Sequence, residues 1–205
     1  MPTQRFFNVS EEKRGRVLGA AIRALADKGL DADVASIIRD AGIPRGSFYQ
    51  YFDGMEDLIS YIVAQGRADK EAYLSDCIEQ TRDTPFLDVY RMILRKSLEL
   101  AAGKSDMTRI MAHVYNAGEK GEAYYRDEIE DAKEAYVRLL RRDMEMGVLR
   151  EDIDAEELAD ILILFDTKLL AKDLFVLHRS IGEMEAKADR FIDMIRKGVG
   201  NDGQS

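Results

Sequence analysis

The residues from Ala41 to Phe52 (Ala-Gly-Ile-Pro-Arg-Gly-Ser-Phe-Tyr-Gln-Tyr-Phe) constrain this chain more than any other stretch. Gly42 suits a tight turn that needs positive φ or close helix approach. Ile43 is placed to plug that turn. Pro44 fits the first turn of a new helix, where its missing N–H costs nothing. Phe48 and Phe52 are four residues apart and share one inward face. Arg45, Ser47, Tyr49, Gln50 and Tyr51 fall on the other faces, and each can donate a hydrogen bond to a phosphate or a base edge. Gly46 lets another backbone approach. A helix this short, with this many outward donors, is poorly explained by stability alone. The segment reads as the turn and second helix of a helix-turn-helix.

The rest of the chain also reads as helix. Strict alternation of apolar and polar residues is absent, and only three prolines occur. Helical patterns cover roughly 10–28, 34–40, 44–51, 53–81, 85–102, 106–116, 122–146, 154–178 and 180–197. Asp53 with Glu56, Asp154 with Glu157 and Ser180 with Glu183 have capping-box spacing. The tail from Gly198 to Ser205 is expected to fray. The fold class is therefore all-α: a three-helix DNA-binding head in residues 1–54, then a larger helical domain in 55–205.

From about Asn8 to Leu58 the chain resembles the DNA-binding domain of the TetR (tetracycline-repressor-like) transcriptional regulators. The matching features run in order: the helix from Arg14 to Lys28 with its Ala20-Ala21 pair, Gly29, Ile37 four residues before Ala41-Gly42, then Gly46 to Phe52 and Glu56-Asp57-Leu58. Two positions depart from the family pattern. Met55 stands where a phosphate-binding Lys is usual, and Asp33 stands where the second helix usually opens with Ser or Thr. Both changes imply weaker nonspecific DNA affinity. The resemblance implies a homodimeric regulator, most often a repressor, that binds palindromic operator DNA and is released by a small-molecule effector. It assigns Arg45, Gly46, Ser47, Tyr49, Gln50 and Tyr51 to the DNA.

The charge distribution bears on this expectation. The net charge is -9, which is awkward for a DNA binder. Residues 1–55 nevertheless carry a net +1, and the acid is concentrated in residues 56–205, at a net -10. The single cysteine, Cys77, excludes an internal disulfide. No apolar run is long enough for a membrane span and no signal peptide is evident, so a cytoplasmic location is expected.

The pattern in 154–178 is informative. Leu158, Ile161, Leu162, Phe165 and Leu169 take one side, whereas Ile163, Leu170, Leu174 and Leu177 spread around another. A helix apolar on two sides is buried on two sides, either within one large core or between a core and a partner chain. The helix after it carries a stripe of Ile181, Met184, Ala188, Phe191, Ile192 and Ile195. The resemblance implies dimerisation through these last two helices, with Leu170, Leu174, Leu177, Met184, Phe191 and Ile195 in the interface. It also implies an effector pocket among the middle helices, with Tyr90, His113 and Tyr136 as polar lining and Leu94, Ile110 and Phe165 as walls. Each has an alternative as ordinary core. Arg91 and Arg95 are surface charges, or an anion site if one faces inward.

No nucleophile-base-acid set, nucleotide-binding loop or metal-ligand spacing occurs, and no cofactor is called for. An enzyme reading has no local support. The rival to a regulator is a helical protein-interaction module with weakened DNA binding.

Overall fold

The computed structural model describes residues 1–103 and 105–200, without the side chain of residue 81. The helices are α1 (Gln4–Phe7), α2 (Glu11–Lys28), α3 (Val34–Ala41), α4 (Arg45–Tyr51), α5 (Met55–Glu79), α6 (Phe86–Ala102), α7 (Asp106–Asn116), α8 (Glu119–Glu122), α9 (Arg126–Glu145), α10 (Ala155–Leu164), α11 (Ala171–Phe175) and α12 (Ile181–Val199). A π-helical segment, Phe165–Leu170, joins α10 to α11. Among the described residues the other regular structure is short 3-10 turns and an antiparallel bridge between Leu149 and Gly200.

The chain forms two compact units, Met1–Lys70 with Lys104–Tyr125, and Glu71–Gly103 with Arg126–Ser205. Each has its own apolar core. In the first, Phe6, Val17, Ala21, Leu25, Ile37, Phe48, Phe52, Leu58, Ile62 and Ile110 are shut off from solvent. In the second, Phe86, Tyr90, Leu140, Leu162, Met184 and Ile192 fill the centre.

Local signals set most helix ends. Ser10, Asp33, Ser105 and Asp154 each accept a hydrogen bond from a backbone N–H in the first turn that follows. Ser180 and Glu183 form the reciprocal capping box expected of them. Two starts differ from the sequence reading. Pro44 is the residue before α4, with extended ψ, rather than its first helical residue. The helix expected to be capped by Asp53 opens at Met55, and the Asp57 carboxylate takes the Asp53 N–H at 3.2 Å. α12 also runs further than expected. Arg150 donates its N–H to the Val199 carbonyl at 2.9 Å, so 198–200 are held in place; 201–205 lie outside the described residues.

The π-helical segment corrects the apolar pattern of 154–178. The Ala171 N–H reaches the Asp166 carbonyl, five residues back, which adds one residue to that turn. After Phe165 it is therefore Leu170 that points into the core, while Leu169 turns out to solvent. Thr167 contributes by returning its hydroxyl to the Ile163 carbonyl at 2.7 Å.

In the second unit a buried carboxylate fixes the start of α6. Asp143 has no solvent exposure. It accepts the Phe86 N–H at 2.6 Å and the Arg142 side chain at 2.5–2.9 Å. A buried charge survives only when paired in this way.

α7 belongs by packing to the first unit, and glycines seat it there. The His113 ring occupies the space where a Cβ on Gly29 would be, and Met107 does the same at Gly66 in α5. A Cβ on Gly121 would lie 1.7 Å from the Val114 carbonyl oxygen. We expect Gly121→Ala to destabilise the protein by about 1–3 kcal/mol in urea unfolding, since backbone has to move. Gly15→Ala, at a helical site open to solvent, should instead stabilise by about 0.5–1 kcal/mol.

Candidate functional site

The helix-turn-helix is built as the sequence indicates. α3 ends at Gly42, whose φ is +64°. The Gly42 N–H donates to Arg39 and the Ile43 N–H to Ile38, the paired bonds of a left-handed helix end. Ile43 is buried in the turn. Underneath α4, Phe48 and Phe52 are both fully buried, with ring centroids 5.6 Å apart, and Phe6 packs 4.8 Å from Phe52. This aromatic floor holds the seven-residue helix, which is too short to persist alone.

The outward face of α4 carries Arg45, Gly46, Tyr49 and Gln50, all exposed, with Ser47 half-buried. Tyr49 is 48% exposed, and the Arg45 guanidinium lies 6.0 Å from its ring centre. A Cβ on Gly46 would meet nothing within 4 Å. The fold therefore gives no reason for glycine there. Tyr51 departs from its expected role. It is 4% exposed, packs 5.8 Å from Phe6 and lies under the Lys13 ammonium at 5.7 Å. Its ring anchors α4 and is not part of the open face. Met55 is half-buried against the same core. Asp33 is held below the usual carboxylate pKa, chiefly by the Ser36 N–H, so this cap stays negative at neutral pH.

The six expected pocket residues divide between the two units. Tyr90, Leu94, Tyr136 and Phe165 lie in the core of the second unit, with Tyr136 at its edge. Ile110 and His113 belong to the first. His113 Nε2 lies 3.2 Å from the Ala26 carbonyl, and its ring fills the Gly29 notch, which is the part of a structural histidine. Tyr90 and Tyr136 do meet, edge to face at 5.6 Å, and both reach one carboxylate: Tyr90 donates to Asp166 at 2.5 Å and Tyr136 at 3.4 Å. Phe86 packs against both rings. Burial, and then the negative Asp166, push both phenol pKa values up, so they remain hydrogen-bond donors. Asp166 is absent from the residues expected of a pocket; the signal for it is a carboxylate placed directly after the apolar run Ile161 to Phe165.

Arg91 and Arg95 are both paired across to α12, Arg91 with Asp193 at 2.5 Å and Arg95 with Asp189 at 2.7 Å. An open groove of about 710 Å³ runs along α9, bordered by Lys133, Arg138, Arg141, Glu134, Glu145 and Glu156. It is a charged surface feature and differs from the enclosed, mostly apolar cavity expected of a sensor.

The expected interface residues also divide. Leu170 and Met184 are buried in the chain's own core, so they have no surface to offer. Phe191 stacks on Phe165 with centroids 3.8 Å apart, and Leu174 and Ile195 also pack against that core. Leu177 is exposed. The exposed apolar side chains here are Ile161, Leu164, Leu169, Val176, Leu177 and Met194. The extra residue of the π-turn accounts for the exchange of Leu169 and Leu170; on α12 the expected stripe of Met184, Phe191 and Ile195 faces the chain's own core.

Residues 17–62 match the model of the bacterial regulatory proteins of the tetR family. The segment is a tetR-family domain. Likeness of fold extends along nearly the whole chain. SmeT, described as the repressor of the Stenotrophomonas maltophilia multidrug efflux pump SmeDEF, superposes with a TM-score of 0.73 at 22% identity, covering 97% of this chain and 94% of SmeT. A complex of SmeT with triclosan gives 0.74 at 20% identity, covering 94% of each chain. A TetR-family regulator from Chloroflexus aurantiacus gives 0.66 at 24% identity, covering 98% of this chain and 99% of the other. Among the described residues no helix is long and apolar enough to cross a membrane, and no three or more His, Cys, Asp or Glu side chains are placed to hold a metal.

Replacing Asp166 by Leu should strand the Tyr136 hydroxyl and leave Tyr90 only the Leu162 carbonyl, 3.2 Å away. The expected loss is about 1–3 kcal/mol in denaturant unfolding. Asp166→Asn, which keeps an acceptor, should lose less.

Proposed function

We propose that this chain is a ligand-responsive transcriptional repressor that binds a palindromic operator as a homodimer. The observation that carries the reading is the outer face of α4. Arg45, Tyr49 and Gln50 stand in solvent on a rigid aromatic floor, beside a Gly46 that the interior does not require. Arg45, Ser47 and Gln50 read base edges and Tyr49 positions a phosphate, with Gly46 admitting the DNA backbone. Two such helices in a dimer enter successive major grooves about 34 Å apart. The functional division falls near residue 54, with sensing and dimerisation in 55–205. With little net positive charge in the head, affinity depends on these specific contacts more than on bulk electrostatics.

The effector acts in the second unit, at Tyr90, Tyr136 and Asp166. A π-helical turn at this place supports the assignment, since such turns are frequent at functional sites. The triclosan complex of SmeT is a case of a protein of similar fold with a ligand bound. An effector releases DNA only to the extent that it binds the released state better.

Footprinting on the DNA upstream of the chain's own coding region is the direct test, and a protected palindrome is the expected result. Gly46→Ala should fold at least as stably as the wild type and yet lose operator affinity tenfold or more. Gln50→Ala should relax preference at one base position by about 1–3 kcal/mol. Wild-type affinity and preference in both variants would remove α4 from the interface, and no protection on any DNA would favour a protein-interaction module.

The dimer uses the exposed apolar residues of α10, the π-segment, the turn after α11 and α12, among them Leu164, Leu169, Leu177 and Met194. Leu164 is 52% exposed in the single chain, so Leu164→Glu should fold. In a dimer it buries an unpaired charge. Sedimentation should show wild-type dimer and variant monomer at micromolar concentration. A wild-type monomer, or a variant that stays dimeric, contradicts this surface.

A further inference from the structure

The first seven residues are the least expected part of the molecule. They form a brace against the exit end of α4. Thr3 donates twice: its N–H to the Tyr51 carbonyl at 2.9 Å, and its hydroxyl to the Gln50 carbonyl at 2.5 Å. The last carbonyls of a helix have no partner within the helix, so an outside donor decides whether the final turn closes or frays. Three residues further on, Phe6 has no solvent exposure. Its ring meets Tyr51, Phe52 and Tyr61 at 5.8, 4.8 and 5.8 Å, and Phe7 lies edge-on at 5.6 Å. α1 is a single turn. Such a piece has no helical stability of its own, and its order comes from this contact.

We propose that Thr3 and Phe6 are positioning residues for DNA recognition. They fix the last turn of α4, and with it the direction in which Tyr49 and Gln50 leave the helix. Gln50 is the central case. Its side chain is exposed for reading a base, while its own carbonyl is held from behind by Thr3. A frayed last turn would let both side chains swing, and binding geometry tolerates little of this: interactions of this kind require rotamers locked by their supports. The N-terminal segment thus acts through α4 and touches no DNA itself. The inference rests on the reading of α4 as the DNA-contacting helix.

Thr3 has φ -70°, which proline adopts without strain. Thr3→Pro therefore removes both donors while leaving the backbone path open. The full-length protein would be measured as wild type, Thr3→Pro and Thr3→Ser. Readouts are affinity for the footprinted operator and for its single-base variants, and amide hydrogen exchange at Phe48–Phe52. Thr3→Pro should lose at least tenfold in operator affinity and flatten the base preference at the position read by Gln50. Exchange in the last turn of α4 should speed up at least tenfold. Thr3→Ser, which retains both donors, should behave as wild type. Should Thr3→Pro fail to fold, Thr3→Val, which loses only the hydroxyl, serves in its place with a smaller shift in the same direction. Wild-type exchange in the donor-deficient variant overturns the brace, as does faster exchange with unaltered base preference. Should the wild type bind no DNA selectively, the reading of α4 fails, and hydrogen exchange alone then decides whether the brace exists.

Discussion

The recognition helix depends on what lies beneath it. Seven residues cannot hold a helix in water, because nucleation costs more than two turns return. α4 exists because Phe48, Phe52 and Tyr51 sink into a floor completed by Phe6 and Tyr61. Burial of a large aromatic side chain contributes roughly 1.5–3 kcal/mol, and several act on this one short element. That support frees the opposite face from any structural duty. Arg45, Gly46, Tyr49 and Gln50 can then be chosen for chemistry, and the space around Gly46 reflects that freedom.

The second unit solves a different problem, that of joining helices far apart in the chain. Asp143 takes the first N–H of α6 from 57 residues away. Arg91, Arg95 and Arg196 on α6 and α12 meet Asp193, Asp189 and Asp88 across the helix pair. Exposed pairs of this kind add little stability individually. Their order, Asp88-Arg91-Arg95 on α6 against Arg196-Asp193-Asp189 on α12, favours this register, because a shift of one turn would set Asp88 against Asp193 or Arg91 against Arg196. The same pairing absorbs Arg91 and Arg95, the two arginines considered as an anion site.

Local patterns in the sequence carried the helix-turn-helix. Gly42, the Phe48–Phe52 spacing and the caps at Ser10, Asp33, Ser105, Asp154 and Ser180 all act within a few residues, so the chain displays them directly. What was hidden depends on contacts between distant segments. α1 gave only the doublet Phe6-Phe7, and Tyr51 looked like a surface donor until Phe6 covered it. The π-turn shifted the apolar register after Phe165, so Leu170 replaced Leu169 in the core and left the expected interface. His113 has the composition of a pocket residue, but its place was decided by a glycine 84 positions earlier, Gly29. The π-turn at 165–170 breaks the 3.6-residue repeat, and no periodicity argument could anticipate it.

The seating of α7 has a consequence of its own. Gly29, Gly66 and Gly121 are recesses, and what they encode is missing matter. His113, Met107 and the Val114 carbonyl fill them with no spare room. A hydrophobic stripe can slide a little along its partner and lose contacts gradually. A ring lodged in a recess slides less readily, because the room it fills exists only where the glycine lacks a side chain. α7 therefore has one resting place against the end of α2 and the middle of α5, and leaving it is an all-or-none event. Any force applied to α7 would either be passed whole to the helix-turn-helix or would unseat it completely.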